Sequence, residues 1–325
     1  MNEFKLLTEE QIFGDEPIEV IQKLGTECAI TDFANALGAS IYDKEIIAGD
    51  RNLKTRAGDW FTSSSHFYFG DVRVVNDEGI CENRVCSSRD NGIRPVVSYS
   101  NLLDISLNPV IGKEGVLEIY YGEYPQYAAT KELCEALEKK LVRKKLNKTG
   151  KKFTTDLGIE NQCFIPKEYE EYEYNGKKYV RVIYKNTDTI GSKLLSNNQE
   201  YNVGDYVWIE ISPIKWYVDE KEKLLISQTS LVSGIRFCEV GNYYGNFKNT
   251  EMYQYLNTYF AKEIIPNKRY EKHKEIDTKR KGIKIKNINI DKINVLISEN
   301  ESNNQKHEEE KNIKLLKSVK KTLTK

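Results

Sequence analysis

The sequence predicts an α+β protein built on a mixed, mostly antiparallel sheet with flanking helices. Three observations predict this class: short runs that alternate apolar and polar residues, an Asn175-Gly176 pair between two such runs, and three segments with helical spacing. The chain has 325 residues, enough for one large domain or two ordinary ones. We predict a first part over residues 1–110, a second α+β part over 111–266 packed on it, and a basic tail over 267–325.

The helices are predicted from capping residues and from the spacing of apolar side chains. Thr31 or Asp32 is suited to cap the first helix, and Gly38 is suited to end it. In the second helix leucines recur at helical spacing among Lys and Glu, and in the third, large apolar residues share one face. The predicted helices are Thr31–Leu37, Thr130–Lys145 and Asn249–Ile265.

Strands are predicted where β-branched and aromatic residues alternate with polar ones. The clearest pair flanks Asn175-Gly176, because Asn-Gly suits a tight hairpin turn. Pro125 is expected to end the pairing of its strand, since proline has no N–H to donate. We interpret Lys44–Arg56 as a polar connection and Asn147–Lys152 as a basic loop. The other predicted strands are Val72–Val75, Val96–Ser100, Val116–Tyr121, Tyr206–Ile211, Pro213–Val218 and Leu224–Ser227.

Charge separates the body of the chain from its tail. The whole chain is neutral, but residues 268–325 hold 17 Lys and Arg against 9 Asp and Glu, which leaves 32 basic and 40 acidic residues elsewhere. The tail is predicted to be partly disordered. It is either a solvated connector or a segment that contacts an acidic partner or nucleic acid through charge attraction.

The composition argues against a membrane protein and against an exported one. No run of about 18 apolar residues occurs, so no membrane span is expected. The acidic N-terminus lacks the basic-then-apolar pattern of an export signal, which favours a cytoplasmic location. The six cysteines have no regular spacing and are expected to be mainly reduced thiols. No phosphate-binding glycine loop and no calcium-ligand set occurs, so no cofactor and no metal is predicted.

The stretch Trp60–Pro95 has the composition of a contact surface. It mixes aromatics, small hydroxyls, amides and arginines beside short strands, and such a mixture supplies rigid area together with adaptable hydrogen bonds. A polar sheet edge with ordinary loops is the alternative interpretation. Aromatic residues would anchor a protein or other macromolecular ligand, and arginines at the rim would set specificity. The candidate ligand-binding residues are Trp60, Phe61, His66, Phe67, Tyr68, Phe69, Arg84, Arg89 and Asn91.

Several ordered sequence blocks resemble one bacterial family. These blocks are Arg73–Val75, Gly92–Pro95, Tyr121–Gln126, Tyr172–Val182, Trp208–Glu210, Ile214–Trp216 and Asn242–Phe247. They resemble C-type-lectin-like proteins related in fold to the formylglycine-generating enzyme, of the kind used as variable proteins of diversity-generating retroelements in gut Firmicutes. The resemblance covers roughly residues 25–265.

The resemblance implies a C-type-lectin-like fold and a non-catalytic, ligand-binding function. Ser63–Asp71 and Cys81–Asn91 would then hold the variable positions, with Cys81 and Cys86 exposed. An alternative is an oxidase of the formylglycine-generating type, in which the thiolates of Cys81 and Cys86 bind a soft metal such as Cu(I). Against it, the arginine- and glycine-rich blocks of that enzyme are missing. A third alternative is a nucleic-acid-associated protein that acts through the tail.

Overall fold

A computed structural model describes most of the chain that precedes residue 265. The described residues are 3–49, 51, 53–65, 70–100, 109–160, 163–187, 194–239 and 246–264, with the backbone alone at 53–54, 156–160 and 163–165. The predictions for His66–Phe69 and for the basic tail lie outside these residues.

Most of the described chain is extended. Its strands are β1 (Phe4–Lys5), β2 (Ala29–Ile30), β3 (Ile41–Ala48), β4 (Leu53–Gly58), β5 (Trp60–Ser65), β6 (Asp71–Val75), β7 (Cys81–Val85), β8 (Val96–Ser98), β9 (Val110–Ile111), β10 (Leu117–Ala128), β11 (Asn147–Glu160), β12 (Cys163–Tyr174), β13 (Lys177–Ile183), β14 (Tyr206–Asp219), β15 (Leu224–Ser227) and β16 (Thr229–Ser230).

The helices are short. They are α1 (Glu9–Phe13), α2 (Glu19–Leu24), α3 (Asp32–Ala36), α4 (Lys131–Val142), α5 (Glu251–Tyr255) and α6 (Ala261–Glu263), and a π-helical turn, Leu256–Phe260, joins the last two. Mostly antiparallel sheets with few short helices agree with the predicted α+β class at this coarse level. Among the described residues, no helix combines the length and apolar character that crossing a bilayer requires.

The chain divides into two units. The first comprises residues 1–109 and 118–265, and the second comprises 110–117 and 266–325. In the second unit the described part is β9 and a 3-10 turn, where the Gly112 N–H donates to the Val116 carbonyl at 2.8 Å.

The largest sheet is organised around β14. Its strand order is β1-β8-β15-β14-β13-β12-β11, and β10 also pairs with β14. Residues 206–211 of β14 pair with β13 and residues 216–219 pair with β15, both antiparallel. The sequence predicted two strands here, and the structure has one of 14 residues. Pro213 lies between the two paired stretches, where its missing N–H removes no bond to β13 or β15.

The predicted hairpin at Asn175-Gly176 is confirmed. Tyr174 pairs with Lys177 across the turn, and the two turn residues have φ angles of 51° and 76°. Two residues with positive φ form the kind of turn that matches the twist of the flanking strands. The local sequence therefore determines the register of β12 against β13.

Two smaller sheets complete the described fold. One has the order β16-β2-β4-β3, in which β16 and β2 run parallel, and the other is the antiparallel sheet β5-β6-β7. The predicted polar connection Lys44–Arg56 was wrong, because most of it lies in β3 and β4. These strands form despite their polarity because they pair with each other at the surface, as the half-buried and exposed residues of β3 show.

The three predicted helices are confirmed, and threonine caps each of them. The hydroxyls of Thr31 and Thr130 accept from the Ala34 and Leu133 N–H groups at 3.2 and 3.4 Å, respectively. The Thr250 hydroxyl accepts from the Tyr253 N–H at 3.1 Å. Each cap satisfies an N–H group that the first turn of a helix leaves without an intrahelical partner.

Two predictions failed because local chemistry was outweighed by strand pairing. β10 continues through Pro125 to Ala128, so this proline does not end the strand. The basic segment Asn147–Lys152 lies in β11 rather than in a loop. There Lys148 forms an ion pair with Glu170 on the neighbouring strand, and such cross-strand pairs stabilise a polar surface strand.

Candidate functional site

The sheet β5-β6-β7 contains three of the predicted contact residues, Trp60, Phe61 and Arg84. β5 begins with three buried residues and becomes more exposed towards Ser65, whereas every residue of β7 is exposed or half-buried. β6 pairs with both, and its alternate valines are buried. At one edge of the sheet β5 is therefore largely buried, and at the other edge β7 is accessible.

Trp60 was predicted to anchor a ligand, and this prediction is wrong. Its side chain is 0% exposed, and its indole N–H donates to the Thr26 carbonyl at 3.2 Å. The guanidinium of the buried Arg94 lies 5.0 Å from the centre of the Trp60 ring. An indole enclosed in this way stabilises the sheet and has no surface to offer a partner.

Phe61 and Asn91 are also buried, so they are not contact residues. Both are 0% exposed. The Phe61 ring lies 5.8 Å from the ring of Phe237, and its backbone N–H donates to the Gly92 carbonyl at 3.0 Å. The aromatic content that suggested a binding surface belongs, at these positions, to the core. His66, Phe67, Tyr68 and Phe69 lie outside the described residues, and their predicted role stays a prediction.

Arg84 is half-exposed and takes part in a charged cluster. Its Nη2 lies 3.1 Å from Asp59 Oδ2 and 3.0 Å from Glu82 Oε2. Tyr42 Oη donates to the same Asp59 oxygen at 3.4 Å. Burial raises the pKa of Asp59 to about 6, and the hydrogen bond and charge of Arg84 oppose that rise. Sequence inspection missed Asp59 because nothing local links it to Arg84, 25 residues later.

Arg89 lies half-buried in the loop that follows β7. Its carbonyl accepts from the Gly234 N–H at 2.9 Å. At the end of the loop the Gly92 N–H donates to the Asp59 carbonyl at 2.7 Å. Bonds at both positions join this loop to the body of the first unit.

The predicted thiolate pair does not form. Cys81 and Val85 are the two ends of β7, so their Cα atoms lie about 13 Å apart at strand spacing, and Cys86 lies further still. Cys81 is half-buried, with its thiol 3.6 Å from Glu9 Oε1. Cys86 was expected to be exposed but is 0% exposed. Two thiols this far apart cannot bind one Cu(I) ion, so the oxidase alternative loses its proposed centre.

Arg73 links β6 to the N-terminal helix α1. Its Nε and Nη2 donate to the two carboxylate oxygens of Glu9 at 3.0 and 2.6 Å, and its Nη1 donates to Asn83 Oδ1 at 2.6 Å. A bidentate arginine–carboxylate pair has a defined geometry. Arg73 and Asn83 are cross-strand partners, so this contact also orients the exposed side chain of Asn83.

The remaining accessible positions define a different surface from the predicted one. Ile80 and Val85 are 54% and 50% exposed, and Asn83 is exposed between them. We refer to Ile80, Asn83, Arg84 and Val85 as the β7 surface. A weak signal was available in the sequence: apolar residues at both ends of a polar strand, next to an Asp77–Gly79 turn.

A second group of ionisable side chains lies at the free end of the largest sheet. Oε1 of Glu263, in α6, accepts from the Thr154 N–H of β11 at 2.7 Å. Burial raises the pKa of Glu263 to about 7, although the hydrogen bonds of Thr154 and the charge of Lys151 lower it. Since β11 ends the strand order, Glu263 satisfies an edge N–H group that would otherwise attract another strand.

No metal centre is found in the part of the chain that the structure describes, where no three His, Cys, Asp or Glu side chains group in a way that could hold an ion. No protein-family model, curated protein or solved structure matches this chain.

Proposed function

We propose that this chain is a non-catalytic recognition protein that binds a macromolecular partner through the β7 surface and the loop after it. One observation supports the proposal most directly: β7 is a paired strand whose five residues are all accessible. Among the described residues β7 ends its sheet, and an end strand also presents backbone N–H and C=O groups that a partner strand can bind.

The chemistry of the β7 surface suits a protein partner. On one face of β7, Asn83 offers an amide and Val85 an apolar side chain, and on the other face Arg84 offers a guanidinium that is already oriented by Asp59. A side chain held in place before binding loses less conformational entropy when the partner arrives. Trp60 and Phe61 contribute indirectly, because their buried side chains fix β5, which pairs with β6.

We further propose that the fold is C-type-lectin-like and that residues 81–91 vary between relatives of this chain. Support comes from the ordered sequence blocks described above and from the placement of this stretch. Asn83 and Val85 lie on an accessible strand, and Asp90 is exposed in a loop with bonded ends. Substitutions at these positions would change the surface while leaving the buried residues of β5 and β6 unchanged.

Binding can be tested with the double variant Ile80→Asp/Val85→Asp. The variant introduces two carboxylates into the apolar part of the β7 surface, so we expect at least a tenfold loss of partner retention. The measurement is affinity capture from cells of the source organism with cross-linking and mass spectrometry, because cross-linked peptides locate the surface as well as the partner.

The matched control is Val142→Asp/Val203→Asp, which changes two valines that are 80% and 58% exposed and lie outside the β7 surface. Equal capture by both double variants and the unchanged chain, or cross-links that avoid residues 80–91, would refute the proposal.

The proposed variation of residues 81–91 has its own test in the DNA beside the gene. This DNA should contain a near-identical repeat of the 60–95 region and a reverse transcriptase gene.

A further inference from the structure

Two buried cysteines meet at the end of β7. Cys86, the residue after β7, is 0% exposed, and Cys238 is 3% exposed. The Cys86 carbonyl accepts from the N–H groups of Phe237 and Cys238 at 2.9 and 3.1 Å. A direct hydrogen bond between a backbone N–H and a carbonyl places the two Cα atoms about 5–6 Å apart. This spacing lies within the window of about 4.4–6.8 Å that a disulfide spans.

The two thiols also interact with each other. The Cys86 thiol donates to the Glu239 carbonyl at 3.6 Å. Contact with Cys238 lowers the pKa of Cys86, while burial and the charge of Asp71 oppose the lowering. The same contact raises the pKa of Cys238. The contact thus favours deprotonation of Cys86 over that of Cys238. This asymmetry suits thiol–disulfide exchange, in which a thiolate attacks and a second thiol resolves the intermediate.

We propose that Cys86 and Cys238 are an oxidation site and form a reversible intramolecular disulfide. The oxidant is a small disulfide of the glutathione class, and it reaches Cys86 when the loop that begins there opens locally, because both sulfurs are buried in the closed fold. The Cys86 thiolate attacks one sulfur of the oxidant, whose S–S bond breaks and releases a thiolate. The Cys238 sulfur, after losing its proton to solvent, attacks the mixed disulfide and releases the second thiolate. Two cysteine thiols are oxidised, one small disulfide is reduced to two thiols, and no other reactant is needed.

The other described cysteines lack such a partner. Cys81 lies beside Glu9, and burial and that carboxylate raise its pKa to about 11, so it carries little thiolate at neutral pH. The Cys28 sulfur lies 3.5 Å from the Ser230 hydroxyl and 3.4 Å from the Ala29 carbonyl. The Cys134 sulfur donates to the Ala129 carbonyl at 3.5 Å, and burial raises its pKa. Oxidation should therefore be selective.

The bond would affect the loop that carries Arg89. It would join the residue that begins this loop to the segment that already binds the loop through Gly234. The closed ring would contain about 150 residues, and the stabilisation that a disulfide confers grows with ring size. This consequence for binding rests on the proposed function, whereas the formation of the disulfide does not.

The test uses the full chain equilibrated in glutathione buffers of increasing oxidised-to-reduced ratio at neutral pH. Free thiols are then alkylated, and the chain is digested and analysed by mass spectrometry. We expect one dominant cross-linked pair, the Cys86 peptide with the Cys238 peptide, and a thermal midpoint several degrees higher in the oxidised chain. Reduction should reverse both effects. Cys81→Ser should retain the cross-link, and Cys238→Ser should instead carry a glutathione adduct on Cys86.

The proposal is overturned if Cys86 and Cys238 stay alkylated in the most oxidising buffer, or if other cysteines account for the cross-links. The unchanged chain supplies this answer, so it does not depend on the folding of a variant. If the cross-link forms and partner capture does not change, the proposal of the disulfide stands. That result would count against the β7 surface as the binding site.

Discussion

The strands β7 and β14 belong to two different sheets and differ in how many of their residues are buried. In β14 ten of the 14 residues are buried, including Trp208 and Trp216, and neighbours lie on both sides. In β7 all five residues are accessible, and β6 is the neighbour that the described residues provide. The long strand stabilises the fold, and the short one presents side chains. A substitution in each should therefore affect different properties.

The largest expected effect is the loss of stability on replacing Trp208 with alanine. Trp208 is fully buried under α4, its indole donates to Glu138 Oε1 at 2.7 Å, and its ring packs edge-on against Tyr172 at 5.4 Å. We expect the unfolding free energy to fall by about 3–5 kcal/mol in urea titrations, since a large cavity replaces the ring. Asn83→Ala on β7 is the control and should change it by less than about 0.5 kcal/mol. Similar losses of unfolding free energy in the Trp208 and Asn83 variants would show that β14 and β7 do not differ in their contribution to stability.

A second test uses the pH dependence of stability at the edge of the largest sheet. The pKa of Glu263 is raised from 4.5 to about 7 in the folded chain, mainly by burial. The folded state therefore binds the proton more tightly than the unfolded state. The unfolding free energy should fall by about 3 kcal/mol as pH rises from about 4.5 to about 7.

Glu263→Gln should flatten this decline, because the amide oxygen can still accept from Thr154 and carries no charge. Glu16→Gln, on an exposed carboxylate, should leave the decline unchanged. The raised pKa of Asp59 contributes a smaller decline that ends near pH 6 and should persist in both variants. Urea unfolding of the unchanged chain and of both variants at a series of pH values measures these declines. An unchanged profile in Glu263→Gln would refute the raised pKa of Glu263 as their cause.

The smallest effects should come from the two hairpin turns. Gly79, between β6 and β7, and Gly176, between β12 and β13, have φ angles of 80° and 76°. A Cβ at Gly79 would lie 2.2 Å from the Thr26 hydroxyl, whereas a Cβ at Gly176 has no neighbour within 4 Å. Gly176→Ala should cost about 1 kcal/mol from the backbone alone, and Gly79→Ala about 2 kcal/mol because Thr26 must also move. Thermal unfolding of the two variants in parallel measures both losses. A larger loss for Gly176→Ala than for Gly79→Ala would contradict the close approach of Thr26 to Gly79.

Much of the secondary structure was predictable because its signals are local. Asn175-Gly176 determined a hairpin, the capping threonines determined three helix starts, and the spacing of leucines determined the inner face of α4. The candidate site was less predictable. Composition identified the 60–95 stretch, but it could not separate Trp60 and Phe61, which are buried, from Ile80 and Val85, which are exposed.

Local sequence accounts for the elements whose causes lie within a few residues: caps, the tight turn and the period of apolar side chains. Long-range packing instead accounts for which strand of a sheet faces solvent, for the contact of Asp59 with Arg84, and for the contact of Cys86 with Cys238 rather than Cys81. This is because burial and pairing depend on contacts between residues far apart in the chain. The residue type at one position does not predict which distant segment covers it.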